Sequence, residues 1–239
     1  HVLLLARNAD RLANVAREIR GAGGTATTYP IALEDAEATK ETAARIEAEI
    51  GPPDVLINNA GTGRWGPFLE TSPQEARAAM DVPYLAAFNM TRAFAPAMVS
   101  RGSGTLVFVS SPAAYLAWPN ASAYIASRRA VAALADVLRS ELKPTGVHVS
   151  LVVLGEVEGT GYWEHNPGSR QYVPERPPFV KPISTEDAAN AIFDGAERQA
   201  IVVKPRIYRA LFLMNALFPK TVASQLRRAS KKALKPEDS

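Results

Sequence analysis

Short, continuously apolar runs alternate along this chain with longer stretches in which apolar residues recur every three or four positions. Val2–Ala6, Thr25–Ile31, Asp54–Asn58, Thr105–Ser110, Val147–Val153 and Ala200–Val203 are runs of the first kind. Their length and their Gly, Pro or Asn borders predict buried strands. Leu12, Val15, Ala16 and Ile19 share one helical face, and Gly21 ends it. A second helix is expected over about 35–50, stopped by Gly51-Pro52-Pro53, and others over about 72–98 and 122–141. Ser72-Pro73-Gln74-Glu75 is a helix start: Ser caps, Pro takes the first helical position, and Glu is placed to bond back. Pro83 is expected to interrupt that helix. Ser184-Thr185-Glu186-Asp187 opens another helix. Residues 155–183 are rich in Gly, Pro and aromatics and read as a long loop with short helical pieces.

Strands that are apolar throughout must be covered on both faces, which a parallel sheet with crossover helices achieves. Right-handed crossovers make this a doubly wound, three-layer α/β/α domain. No repeat or linker divides it. One domain over 1–203 is expected, followed by an appendage over 204–239. The chain opens at His1 directly on an apolar run, as the inside of a domain would, so a preceding strand–helix unit is expected to be missing.

Composition narrows the chemistry. Among 239 residues there is no cysteine, which excludes disulfides and thiolate metal sites, and the three histidines form no metal motif. No window offers about 18 uninterrupted apolar residues, so no membrane-spanning helix is expected, and a cytoplasmic location follows as the expectation. The net charge of +3 is unevenly spread: nine Lys or Arg and no Asp or Glu lie between Lys204 and Lys235. Just ahead of the basic stretch, Ile207–Phe218 is strongly apolar, a combination that suits peripheral contact with a membrane surface. No nucleic-acid motif accompanies the charge, so nucleic acid is not expected as a partner.

Four elements at strand ends carry the candidate chemistry. Asn58-Asn59-Ala60-Gly61 closes the third strand. Ser110-Ser111 closes the fourth, and Tyr124 follows thirteen residues after Ser111 on the next helix. Leu154-Gly155-Glu156-Val157 closes the fifth. Open α/β sheets bind ligands at this edge. In this order and spacing the chain resembles the short-chain dehydrogenase/reductase family from His1 to about Val203.

The resemblance implies a Rossmann-like fold and hydride transfer between a nicotinamide and a carbonyl or secondary alcohol. It makes Tyr124 the acid/base and Ser111 the partner of the substrate oxygen. A free phenol with a pKa near 10 is a poor base at neutral pH, so a neighbouring cation is needed. The family places a lysine four residues on, one turn along the same helix face; here Arg128 stands there. Arginine keeps the charge and can bond ribose hydroxyls, but releases no proton near neutrality. Arg129 projects from another face. Cofactor contacts are implied for Arg7, Asn58, Asn59, Ala60, Gly61, Arg128, Gly155 and Val157. Arg7 closes the first strand where similar members hold the 2′-phosphate, which favours NADP(H) over NAD(H).

The chain also departs from the family. Pro83 replaces a mid-helix asparagine, Leu154 the proline of a Pro-Gly, and Ala32 an adenine-side aspartate. Thr160 is a shifted candidate for the threonine that holds the nicotinamide amide. The Gly-rich phosphate turn would precede His1. A catalytically silent nucleotide- or partner-binding relative, and a membrane-surface interaction protein, stay open beside the enzyme. Trp65, Tyr115, Tyr162 and Trp163 are candidates for an apolar substrate pocket. His148 reads as structural, and His165 has no partner evident from sequence. The family also implies a small-molecule substrate and a homodimer or homotetramer built through the helices near 72–98 and 122–141.

Overall fold

A computed structural model of the chain describes residues 1–174, 176 and 180–233. The elements follow the expected alternation: β1 (Val2–Ala6), α1 (Ala9–Gly21), β2 (Ala26–Pro30), α2 (Ala36–Glu49), β3 (Val55–Asn58), α3 (Pro73–Met80), α4 (Ala86–Arg101), β4 (Gly104–Ser110), α5 (Ser122–Glu141), β5 (Val147–Leu154), α6 (Thr185–Arg198), β6 (Ile201–Lys204), α7 (Ile207–Leu217) and α8 (Pro219–Ala233). All strand pairs are parallel. The expected loop over 155–183 holds, among the described residues, a short 3₁₀ turn at Arg170–Tyr172 and a bridge between Val157 and Ile183. Part of that loop, 175 and 177–179, and the last six residues of the basic end lie outside the described residues.

The sheet is in two parts, β1–β2 and β3–β4–β5–β6. Among the described residues no strand pairing joins β1 to β3. Packing joins them instead. Tyr29 of β2 and Ala43 and Ile46 of α2 share one buried cluster with Leu56 of β3, Phe94 and Met98 of α4, and Phe108 of β4. The amide of Asn89 on α4 adds a polar tie, donating to the carbonyls of Leu33 and Glu34 at 3.1 Å each.

Alternation along the strands covers both faces. Leu106, Phe108, Leu151 and Val153 face the α4–α5 side. Val107 and Val152 face α6, where Ala188 and Ala191 meet them. Successive side chains of a strand point to opposite faces, so each strand feeds two helical layers. Tyr208 of α7 and Val222 of α8 belong to the larger of these clusters.

Pro83 interrupts the α-helix, as expected. It is buried in a π-helical turn, Asp81–Leu85, that links α3 to α4, with the Ala86 amide donating to the Asp81 carbonyl. Proline has no N–H to give a regular α turn, and the wider turn absorbs the register change. The start of α3 is as expected: Ser72 and Glu75 form a reciprocal capping box. Glu75 also pairs with Arg64, which ties the loop after β3 to α3. The Ser72 amide, then Arg64, hold its carboxyl below the usual range.

Phe108 is fully buried on β4, between Asn58 of β3 and Leu151 of β5. Phe108→Ala is expected to cost about 3–5 kcal/mol. The check is a lowered urea midpoint with an unchanged slope.

Candidate active site

The carboxyl ends of β3, β4 and β5 lie along one edge of the larger sheet, because the strands are parallel and in register. The turn after β3, the turn after β4 and the first turns of α5 meet there. Asn58 is buried, and its amide donates to Thr91 Oγ1 of α4 at 3.1 Å. Its side chain is thus spent on fixing the strand end. The next three residues, Asn59, Ala60 and Gly61, are exposed, leaving backbone open to a ligand.

Tyr124 and Arg128 lie one turn apart on α5 and both are 8% exposed. The Arg128 guanidinium stacks over the Tyr124 ring, 5.0 Å from its centroid. Arg129 is exposed, as its helix face requires. On the other side Arg128 meets the turn after β3: a methyl group on Gly61 would stand 2.6 Å from Nη2. Gly63 lies against the Tyr124 ring with no room for a side chain. These two glycines are close-approach positions, a constraint invisible in the Asn-Asn-Ala-Gly pattern itself. Arg128 Nε is buried and has no acceptor among the described residues. A buried donor left unpaired is costly and points to a missing partner.

Ser111 caps the short turn Pro112–Ala114 by accepting from the Ala113 amide at 3.3 Å. Ala113 shares a buried cluster with Tyr124, Ile125, Ala121 and Trp65, so the Ser111 turn and the Tyr124 helix abut. Ser110 is buried, and its hydroxyl donates to the Arg128 carbonyl at 3.2 Å. That bond pins the end of β4 to α5.

Two of the four aromatic candidates close over Tyr124. Trp65 and Tyr162 lie 5.8 and 6.4 Å from its ring. Trp163 stacks edge-on against Tyr162 and under the Arg170 guanidinium. Tyr115 is corrected: it packs against Phe212 of α7 at 4.5 Å, apart from this cluster. Its fate could not be read from sequence, since it depends on where α7 docks.

The loop over 161–169 is fastened across the site. The Tyr162 phenol donates to the Gly63 carbonyl at 2.6 Å. Ser169 Oγ accepts from the Trp65 amide at 3.0 Å. Thr62 donates to Asn166 at 3.4 Å, and Arg11 of α1 donates to His165 Nε2 at 2.9 Å. His165 therefore has a partner that the sequence did not suggest. At its flanks Glu156 accepts from Arg170 and Arg176 at 2.7 and 2.8 Å. Two open cavities, of about 380 and 260 Å³, border neither Tyr124 nor Arg128.

Other candidates take structural duties. The Gly155 amide donates to the Lys204 carbonyl at 2.8 Å, and Tyr208 and Pro205 crowd its α-carbon. Val157 bridges to Ile183. Thr160 is exposed and donates to the Val157 carbonyl. His148 lies inside β5, on its exposed side. Arg7 is exposed and pairs with Glu34 at 3.4 Å, while Asp35 is committed to capping α2. A pair this exposed contributes about 0–1 kcal/mol, so a phosphate could displace Glu34 at little cost.

An open parallel α/β sheet with its polar turns gathered at the carboxyl edge defines a nucleotide-binding class of fold. Within that class the chain belongs to the short chain dehydrogenase family, whose model matches residues 1–169. Probable oxidoreductase EphD of Mycobacterium tuberculosis is 32% identical over 229 residues, covering 90% of this chain and 38% of that protein. Ketoacyl reductase HetN of Nostoc is 34% identical over 160 residues, covering 67% of this chain and 56% of that one. The chain thus spans less than two fifths of the mycobacterial relative. A metagenomic short-chain oxidoreductase solved in complex with NADP is 36% identical over 65% of this chain and 71% of its own, with a TM-score of 0.63. A 3-ketoacyl-ACP reductase from Sinorhizobium meliloti is 26% identical, with a TM-score of 0.74 over 84% of this chain and 86% of its own.

Burial raises the Tyr162 phenol above its ordinary range, and the neighbouring Tyr124 phenol adds to this. Tyr115 and Tyr208 are raised by burial too. Below about pH 10 these phenols are neutral both folded and unfolded. Above it the unfolded chain loses protons that the folded chain keeps, so stability falls as pH rises. Tyr162→Phe is expected to cost about 1 kcal/mol at neutral pH through the lost bond to Gly63. It should also soften the alkaline loss of stability. Unfolding curves from neutral to alkaline pH check this; an unchanged alkaline slope contradicts it.

Proposed function

We propose that this chain is the catalytic domain of an NADP-dependent oxidoreductase that interconverts a carbonyl and a secondary alcohol. The observation that carries the reading is Arg128: a buried cation stacked on Tyr124, with a donor that has no acceptor among the described residues. A ribose hydroxyl would fill that vacancy in the hydrogen bonding, and the exposed backbone of Asn59–Gly61 leaves room for it. Arg7 at the end of β1 suits a 2′-phosphate. NADP in the metagenomic relative's structure supports the same choice of cofactor.

The nicotinamide would supply or take up the hydride. The protein's part is the proton and the developing charge. Tyr124 gives a proton to the substrate oxygen in reduction and takes one in oxidation. Arg128 offsets the negative charge that appears on the phenol oxygen as the proton leaves. Ser111 donates to the substrate oxygen and stabilises charge there. Arg128 cannot relay a proton as a lysine could, so reprotonation of Tyr124 must come from solvent. Trp65 and Tyr162 favour an apolar substrate, and the loop over 161–169 must lift to admit it. Partners in the family reading are further copies of the chain. The apolar groove along α4 and α5, lined by Phe88, Val99, Leu134, Leu138 and Leu142, suits such a contact.

A second reading is a relative that binds nucleotide without turnover. The closure of Trp65 and Tyr162 over Tyr124 favours it, as do Arg128 and Pro83 in place of the family's lysine and asparagine. Turnover of NADPH with a panel of carbonyl compounds separates the two. In the enzyme reading Tyr124→Phe lowers kcat about 100-fold or more. Arg7→Ala raises the Kd for NADPH about tenfold and leaves NADH unchanged. NADPH binding without oxidation, unrestored by Arg128→Lys, establishes the silent relative instead.

A further inference from the structure

We propose that the outer face of α7, with the cations around it, seats the protein on an anionic lipid bilayer surface. Helix α7 is apolar on nearly all sides, but only one side is covered. Tyr208, Leu211 and Phe212 pack into the core, and Asn215 donates to the Tyr115 carbonyl at 3.0 Å. The opposite side carries Leu213, Met214 and Leu217, followed by Phe218 at the helix end; they are 60, 44, 63 and 58% exposed. Single exposed apolar residues are ordinary, whereas four clustered over six positions mark a contact surface.

The charge around this patch selects the partner. Arg206 and Arg209 are exposed at the start of α7, Lys220 lies just past its end, and Arg227 and Arg228 are exposed on α8. No acidic residue lies between Lys204 and Lys235. A protein partner would account for the apolar patch alone; a segment that carries cations and no acid from Lys204 to Lys235 complements an anionic lipid surface. Leu213, Leu217 and Phe218 would enter the boundary between headgroups and acyl chains, and the guanidinium groups would stay with the headgroups. An 11-residue helix is only about 16 Å long, too short to span the bilayer, so α7 would lie in its plane. No described helix is long and apolar enough to cross a membrane.

The test is flotation of the full chain with phosphatidylcholine vesicles, with and without phosphatidylglycerol. Partition is expected to be about tenfold or more stronger on the anionic vesicles and to fall as salt rises. The double variant Leu213→Asn with Leu217→Asn should lose about tenfold or more. Arg206→Gln should lose about fivefold on anionic vesicles only. All these side chains are exposed, and an unchanged circular dichroism spectrum and Tm confirm that each variant folds. Absence of flotation, equal flotation on both vesicles, or folded variants that float like the parent overturns the proposal. So does light scattering that shows the parent as an oligomer which the double leucine variant splits, because the face then pairs with a second copy.

Discussion

The buried guanidinium of Arg128 sets terms that its surroundings must meet. A charge taken from water needs compensation; here the face of the Tyr124 ring supplies part of it, and the turn after β3 packs closely against the guanidinium. That turn can approach only because positions 61 and 63 are glycines. The helix below it is fixed by the bond from Ser110 to the Arg128 carbonyl. The pairing of tyrosine and cation, the glycine turn and the end of β4 are thus one packing unit. Arginine's planar, delocalised cation can stack on an aromatic ring, which the compact ammonium of lysine does less readily. In the proposed reaction an arginine here holds charge against the tyrosine ring without carrying a proton.

The cover over this unit is held differently. Its ties come from four separate elements: the turn after β3, the strand end at Glu156, the 3₁₀ turn at Arg170–Tyr172, and α1 through Arg11. Most are single hydrogen bonds or exposed ion pairs, each contributing about 1 kcal/mol or less. The core beneath is held by Phe94, Phe108, Leu106 and Leu151, all nearly or fully buried. The cover is therefore held more weakly than the sheet beneath it. Tyr162 is the hinge of the two regimes, because its ring packs on Tyr124 while its hydroxyl holds the loop to Gly63.

The C-terminal helices make a similar division between a committed and an uncommitted side. Tyr208 and Val222 join the main core, and the α7 ring stack of Tyr208 and Phe212 reaches Tyr115. Gly155 has its close neighbours on this side too, so the end of β5 is shaped by α7 docking. The outer surface carries apolar and basic side chains that the fold does not use.

Much of this protein was legible in its sequence because the signals are local. Apolar runs gave the strands, Ser72 with Glu75 gave a cap that forms as expected, and a strand-end serine followed at a fixed distance by Tyr124 and Arg128 gave the candidate site. Helical periodicity alone put Arg128 on the face of Tyr124 and Arg129 on another. Other features depended on elements distant in the chain. The π geometry of the turn at Pro83, the bonds of Asn89 to the loop after β2 and the pairing of Arg11 with His165 carry no local pattern. Asn58 read as a cofactor contact because its neighbours are strand-end residues, yet Thr91, thirty-three positions away, claims its amide. Sequence periodicity determined which residues could face one another. Only the packed structure decided which donors were already spent, and among the described residues it left the Nε of Arg128 without a partner.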